Sequence, residues 1–157
     1  MAPSGVILSR NGVVQGYGRP GTTVTFMRTI IAGSRILFKN DAPISLYDLV
    51  QLVDRAVSKS GFIPSVVLNG GACGVDYAGK CWAKTHGIPV EDYPADWKMF
   101  GMRAGYLRNK RMAEHADALI AIWDGQSRGT RHMIEIAQTI AQTKQLKVFV
   151  MDISKMS

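Results

Sequence analysis

Two glycine-rich segments carry the residue types of a phosphate-binding site. The first segment is 70–74 (GGACG) and the second is 124–130 (DGQSRGT), and each follows a short apolar run. Glycines let backbone amides approach an anion closely, and the hydroxyls of Ser127 and Thr130 can donate further hydrogen bonds. Tight strand-to-helix turns would explain either segment alone, but two such loops at one sheet edge favour phosphate binding. Neither segment is a Walker A motif or a G-x-G-x-x-G dinucleotide fingerprint.

Basic residues lie between and beside these loops. Arg103, Arg108, Lys110 and Arg111 occur at 103–111 without an acidic residue among them. A guanidinium can bind two phosphate oxygens at once. Most of these cations are expected on a solvated helix face. Arg108, followed by Asn109, is expected near the sheet edge where the loops converge.

Three aspartates follow strand ends and could act on a sugar phosphate. Asp76, Asp96 and Asp124 could bind ribose hydroxyls, or serve as acid or base if burial raised a pKa. A helix cap would equally explain Asp76, and a turn would explain Asp124. For Trp97, beside Asp96, the sequence favours equally a role in stacking on a base and an ordinary loop position.

Composition bounds the class of protein. The chain has 157 residues, 46% of them hydrophobic, and a formal net charge of +7. This length suits one ordinary domain, and the positive charge favours an anionic partner. Cys73 and Cys81 have neither C-x-x-C nor zinc-ligand spacing, so we expect no metal, no disulfide framework and no cofactor. Without a membrane-spanning stretch or a secretory leader, the cytoplasm is the expected location.

Short apolar runs alternate with helical patterns from Arg28 onward, which is typical of βαβ units. The sequence predicts an α/β fold: a Rossmann-like, doubly wound, mostly parallel five-stranded sheet in a three-layer sandwich. The predicted strands are 29–32, 65–68, 88–93, 116–123 and 146–151. The predicted helices are a helix that begins after Ser45 and ends at Gly61, 77–84, 105–115 and 130–142, with a loop at 95–104.

The first residues do not follow this alternation. Asn11-Gly12 between two apolar runs predicts a hairpin. We therefore assign residues 1–26 to an extended or hairpin N-terminal arm, and residues 27–157 to the nucleotide-binding domain. A frayed or edge-pairing extension is preferred over an element that reaches a neighbouring subunit.

Several ordered motifs resemble the YspA-type branch of the SLOG superfamily, which includes the DprA (Smf) DNA-processing proteins and the LOG phosphoribohydrolases. The resemblance runs from about residue 28 to residue 150 and rests on GGACGVD at 70–76, WA at 82–83, PADW at 94–97, Gly101, AG at 104–105, RN at 108–109, Met112, ADALIA at 116–121, WDG at 123–125 and SRGT at 127–130.

The resemblance implies a pocket for nucleotides or nucleotide-derived signals in bacteria or their phages. It places the phosphate loops at 70–74 and 127–130 and completes the wall with Gly33, Ser34 and Arg35. It also implies self-association as a dimer or larger assembly. Together with the residue patterns, it gives the predicted ligand set: Gly33, Ser34, Arg35, Gly70, Gly71, Ala72, Gly74, Asp76, Trp97, Arg108, Asn109, Asp124, Ser127, Gly129 and Thr130.

The comparison with the hydrolase branch is less complete. Its active pattern pairs an arginine in an R-K-x-x-M helix with a glutamate three residues after the threonine of P-G-G-x-G-T. Arg108 ahead of Met112 matches the arginine, but Met133 stands where the glutamate is expected. Hydrolysis would therefore need Asp96 or Asp124 as the catalytic carboxylate beside Arg108.

Three functions follow, in order of preference. The first is a sensor or sequestering module that binds a phosphorylated nucleotide or an ADP-ribose-like signal. The second is a phosphoribohydrolase that cleaves the N-glycosidic bond of a nucleoside monophosphate. The third is nucleic-acid binding by the basic surface, which ranks last because aromatic residues are not interleaved with the basic ones.

Overall fold

The fold alternates strands and helices along the chain. The computed structural model describes residues 6–8, 13–16, 23–36, 38–39 and 41–154. In these residues the elements run in the order β1 (Val6–Leu8), β2 (Val13–Gly16), β3 (Thr23–Gly33), β4 (Phe38–Lys39), β5 (Ala42–Pro43), α1 (Leu46–Ser60), β6 (Ile63–Asn69), α2 (Val75–Thr85), β7 (Val90–Asp92), α3 (Trp97–Phe100), α4 (Ala104–His115), β8 (Ala118–Trp123), α5 (Arg128–Ile140) and β9 (Lys147–Asp152).

Five parallel strands form the centre of the molecule in the spatial order β7, β6, β3, β8, β9. The chain starts at the central strand β3, proceeds outward through β6 to β7, and then returns to the other side of β3 with β8. This reversal is a topological switch point, where ligands bind beyond the carboxyl ends of the two diverging strands. The predicted Rossmann-like α/β fold is confirmed.

Helices cover both faces of the sheet and create two apolar cores. On one face α1 and α2 pack against Ile31, Val67 and Ile120. On the other face α4 and α5 pack against Ile30, Leu68 and Leu119. Because neighbouring side chains of a strand point to opposite faces, the consecutive apolar residues of β3, β6 and β8 supply both cores at once.

The helix ends follow the local sequence. Ser45 caps α1, since its side-chain oxygen accepts a hydrogen bond from the Asp48 amide at 3.0 Å. Gly61 ends that helix with a φ of 71°, a left-handed conformation that glycine adopts without strain. Ser127 caps α5 in the same way as Ser45, accepting from the Thr130 amide. The predicted start and end of α1 are confirmed.

The structure extends or corrects other boundaries. The strand predicted at 29–32 begins six residues earlier, at Thr23, because its first residues pair antiparallel with β2. The predicted loop at 95–104 contains α3 and a 3-10 turn, Gly101–Arg103. Residues 6–8 and 13–16 pair antiparallel as the hairpin prediction requires, while its turn residues lie outside the described residues. The boundary between an arm and a domain at residue 26 stays a prediction. Within the described residues no helix combines the length and apolarity needed to cross a membrane.

We predict that Gly33→Ala destabilises the fold and that Gly129→Ala does not. A Cβ at Gly33 would lie 2.3 Å from the Ile122 carbonyl oxygen and 2.7 Å from a Val75 methyl carbon, whereas a Cβ at Gly129 meets nothing within 4 Å. We expect Gly33→Ala to lower the free energy of unfolding by about 3 kcal/mol, since the backbone must move. Urea denaturation of both variants measures this, and equal stabilities would contradict the close packing at the end of β3.

Candidate functional site

A cavity lies at the switch point, beyond the carboxyl ends of β3 and β8. It is lined by the end of β3 and the loop that follows it, the loop before α2, the first turn of α2, the second turn of α4, and the first two turns of α5. The lining residues are Ala32, Gly33, Arg35, Ala72, Asp76, Arg108, Asn109, Ser127, Gly129, Thr130 and Met133. Its volume is about 100 Å³, so it holds one compact group, such as a phosphate, rather than a whole nucleotide.

A buried carboxylate forms part of the cavity wall. Asp76 in the first turn of α2 is 7% exposed, and its two oxygens accept from the amides of Gly33 at 3.4 Å and Ala72 at 3.3 Å. Burial raises the pKa of Asp76 to about 6, because desolvation outweighs the two amide hydrogen bonds and the positive charges of Arg108 and Arg35. Asp76 therefore changes charge near neutral pH.

Arg108 reaches into the cavity from α4. One Nη1 hydrogen is donated to the Gly70 carbonyl oxygen, and Nε donates to Asn109 Oδ1 at 3.0 Å. Partial burial lowers the pKa of Arg108, an effect that Asp76 opposes and Arg35 reinforces. In the described part of the chain, Nη2 has no hydrogen-bond partner, so its two hydrogens remain for a ligand.

Asn109 connects α4 to the start of α5. It is 7% exposed, and its Nδ2 lies 3.1 Å from His132 Nδ1 and 3.5 Å from the Gly129 carbonyl oxygen. With Oδ1 on Arg108, every polar atom of the Asn109 amide group has a partner within the protein. Asn109 therefore positions other groups and has little hydrogen-bonding capacity for a ligand.

The first turn of α5 supplies unpaired donors. The backbone amides of Arg128 and Gly129 are the first two of α5, ahead of the Thr130 amide that Ser127 caps. Neither has a hydrogen-bond partner among the residues with assigned structure. The hydroxyls of Ser127 and Thr130 lie 3.0 Å apart and share one hydrogen bond, so one hydroxyl hydrogen remains. The end of a helix that carries such amides is partially positive and attracts an anion.

The glycines of the first loop make close contacts with neighbouring segments. A Cβ at Gly70 would lie 3.0 Å from Asp76 Oδ2, and one at Gly74 would lie 2.8 Å from the Arg35 Cα. The amide of Gly71 donates to the Asn69 side chain at 2.9 Å, as the Ala72 amide does to Asp76. The first segment contributes Ala72 to the cavity lining, and the second contributes Ser127, Gly129 and Thr130.

Two predicted residues lie beside the cavity and hold its edges together. Ser34 is 1% exposed, and its Oγ accepts from the Asp124 amide at 3.0 Å, which ties the end of β3 to the end of β8. Asp124 accepts from the amides of Gln126 and Ser127, both at 2.8 Å. Burial opposes ionisation of Asp124, but these amides and the Ser34 hydroxyl outweigh it and lower its pKa. Asp124 is a turn residue outside the cavity lining.

The remaining predicted residues lie on the rim or away from it. Asp96 caps α3, accepting from the Met99 amide at 3.0 Å, and does not line the cavity. Trp97 is 57% exposed, and its ring lies 3.4 Å from a Cβ built at Gly105, which is itself 4.0 Å from Arg108 Nη2. Trp97 is thus an exposed aromatic surface close to the cavity mouth. In the portion that the structure describes, no cluster of His, Cys, Asp or Glu has the composition of a metal site.

Sequence reasoning missed two features of this site. Ala32 and Met133 line the cavity, yet neither has a side chain that signals function. His132 is not among the predicted site residues, and its contact with Asn109 depends on how α4 packs against α5. A helix-spacing comparison could have placed His132 on the same face of α5 as Gly129, which is one turn earlier.

Part of the chain matches a known protein family. Residues 27–100 match the family described as YspA, cpYpsA-related SLOG family. The resemblance to the SLOG superfamily is confirmed over that segment. The match includes β3, α1, β6, α2 and Asp76, and it ends before Arg108.

A phage protein shares part of this sequence. Over 79 residues, the chain is 42% identical to the Gene 61 protein of Mycobacterium phage D29. The shared segment covers 46% of this chain and 63% of that relative, which is less than two thirds of its length. No solved structure matches the chain. The SLOG relationship indicates a function related to nucleotides.

We predict that burial of Asp76 makes stability depend on pH. The pKa of Asp76 is about 6 in the folded protein, against 3.8 for an aspartate outside the fold. The folded state therefore binds more protons than the unfolded state between these two pH values. The free energy of unfolding is therefore highest at low pH and falls as the pH rises from about 4 to about 6. The total decrease from this group is up to about 3 kcal/mol. Chemical denaturation of the wild type and Asp76→Asn across this range measures it, and parallel pH profiles would contradict it.

Proposed function

We propose that this chain binds a phosphorylated nucleotide or an ADP-ribose-like derivative at the switch-point cavity, as a sensor or sequestering module. The observation that carries the proposal is that Arg108 and Gly129, whose backbone amide is unpaired at the start of α5, line the same cavity. A guanidinium and a helix N-terminus that face the same small space are complementary to a phosphate. Arg35 adds a second positive charge to the wall.

The size of the cavity decides which part of the ligand enters. A volume of about 100 Å³ admits the phosphate, while ribose and base must extend toward the rim. The amides of Arg128 and Gly129, the remaining hydroxyl hydrogen of Ser127 or Thr130, and Arg108 Nη2 would then contact phosphate oxygens. Asp76 would face the ribose side and accept from its hydroxyls.

The base would stack on an exposed aromatic ring at the mouth. Trp97 is 57% exposed and lies against Gly105, close to Nη2 of Arg108. A ligand held by its phosphate at Arg108 would therefore bring its base near the indole face. Stacking of a base on an aromatic side chain is worth about 1–3 kcal/mol and tolerates any base.

We predict that Arg108→Ala weakens binding of AMP and of ADP-ribose by about 30-fold or more, because a charge-assisted pair with phosphate is lost. Isothermal titration calorimetry measures it. The matched control is Lys110→Ala, which removes one positive charge from the exposed side of the same helix, where Lys110 lies 3.9 Å from Glu114. Absence of heat with either ligand in the wild type, or equal losses in both variants, would contradict the proposal.

A second function is favoured by one observation. Asp76 is a carboxyl in the cavity, with a pKa of about 6, next to Arg108. Such a group could accept the proton of a water that attacks the anomeric carbon of a nucleoside monophosphate, while the bond from sugar to base breaks; the base leaves with the bonding electrons and takes up that proton. In this hydrolase alternative Asp76 is the catalytic carboxylate, in place of the Asp96 or Asp124 that the sequence analysis proposes.

For this alternative, we expect free base to appear on incubation with AMP, at a rate that rises as pH increases through about 6. Asp76→Asn should lower that rate by about 100-fold or more, since a general base contributes on that order. Chromatography of the products measures it, with Glu114→Gln on the exposed face of α4 as the control. No free base from any of the common monophosphates would eliminate hydrolysis and leave binding alone.

A further inference from the structure

A chain of three side chains links α5 to the cavity. His132 Nδ1 lies 3.1 Å from Asn109 Nδ2, and Asn109 Oδ1 accepts from Arg108 Nε at 3.0 Å. Arg108 is the residue on which the proposed function depends. The chain therefore connects a titratable imidazole to the anion-binding guanidinium through one buried amide.

The donor and acceptor roles in this chain are fixed from the arginine end. A guanidinium has no acceptor, so the atom of Asn109 that faces Nε must be the oxygen. The NH₂ group of Asn109 then faces His132 and the Gly129 carbonyl, which can only accept. His132 Nδ1 must also accept, and the imidazole is therefore the neutral tautomer with its hydrogen on Nε2.

We propose that His132 is a positioning residue for Arg108: when neutral it holds Asn109 in the orientation that directs the guanidinium into the cavity, and when protonated it reverses that amide and removes the hydrogen-bond partner of Arg108 Nε. Protonation places a hydrogen on Nδ1, which then opposes the Asn109 NH₂ group. Turning the amide satisfies His132, but it sets the NH₂ group against Arg108 Nε and the oxygen against the Gly129 carbonyl. Two hydrogen bonds are then lost at the cavity.

The surroundings favour the neutral imidazole. The titratable and charged groups that face His132 are Glu135 on α5 and, on α4, the Tyr106 phenol with its ring centroid 4.4 Å away, and Arg108 beyond Asn109. Burial lowers the pKa of His132, and Glu135 opposes this. The switch would thus operate below neutral pH. The proposal rests on the proposed function only in taking Arg108 as the anion-binding residue.

Nuclear magnetic resonance of the ligand-free, ¹⁵N-labelled protein tests the chain directly. At about pH 8 we expect His132 Nδ1 to lack a hydrogen, and we expect the Arg108 Nε–H signal to shift in step with His132 as the pH falls to about 5. His132→Asn keeps an acceptor near the position of Nδ1 and cannot titrate, so it should abolish this step. His132→Leu has neither the acceptor nor a proton to titrate, and the bonds of Asn109 to Arg108 and Gly129 still favour the same amide orientation, so this variant should also show no His132 step.

Asp76 titrates in the same range, and its own effect on Arg108 should persist in both His132 variants. A hydrogen on Nδ1 of the neutral imidazole, or an Arg108 signal that does not follow His132, would overturn the proposal. So would a full step that survives in His132→Asn.

AMP titrations separate this proposal from the proposed function. Between about pH 8 and about pH 5, we expect the wild type to lose about tenfold in AMP affinity relative to His132→Asn. If AMP binds at no pH while the Arg108 signal follows His132, the proposed function fails and the positioning role stands. If AMP binds with the same pH dependence in both proteins, the positioning role in binding fails.

Discussion

The electrostatic attraction between Asp76 and Arg108, which both lie beside Gly70, is the interaction on which this site depends. Asp76 is almost fully buried, and its oxygens connect the end of β3 to the loop before α2 through the Gly33 and Ala72 amides. Arg108 arrives from the opposite face of the sheet and reaches the Gly70 carbonyl of the same loop. Together they join three elements that leave the sheet in different directions, and they leave positive charge directed at an open space.

The balance of charge in that space is the reason we propose an anion as its occupant. Arg35 and Arg108 contribute two positive charges to the lining, against one negative charge on Asp76 when it is ionised. The unpaired amides at the start of α5 add partial positive charge without a counter-ion. Because the pKa of Asp76 is about 6, the carboxylate can take up a proton when a phosphate approaches, which reduces the repulsion that two anions would otherwise feel.

The sequence predicts the strands and helices well, and the side-chain contacts within the site poorly. Periodicity alone places every strand of the parallel sheet, because the consecutive apolar residues of β8 and β3 have no other stable location than between two layers of helices. It also places Arg108 and the 127–130 loop at one cavity. The sequence does not distinguish Asp76 from Asp96 and Asp124, since all three follow strand ends. In the structure Asp96 is a helix cap and Asp124 a turn residue, and only Asp76 is buried in the cavity wall. The Asn109–His132 contact depends on the angle at which α4 packs on α5, which no local pattern encodes.

The most direct measurement of the central claim is a crystal structure of the protein with AMP. We expect the phosphate within hydrogen-bonding distance of the Gly129 amide and Arg108 Nη2, with the base toward Trp97. A phosphate bound elsewhere, with the switch-point cavity unchanged, would contradict it.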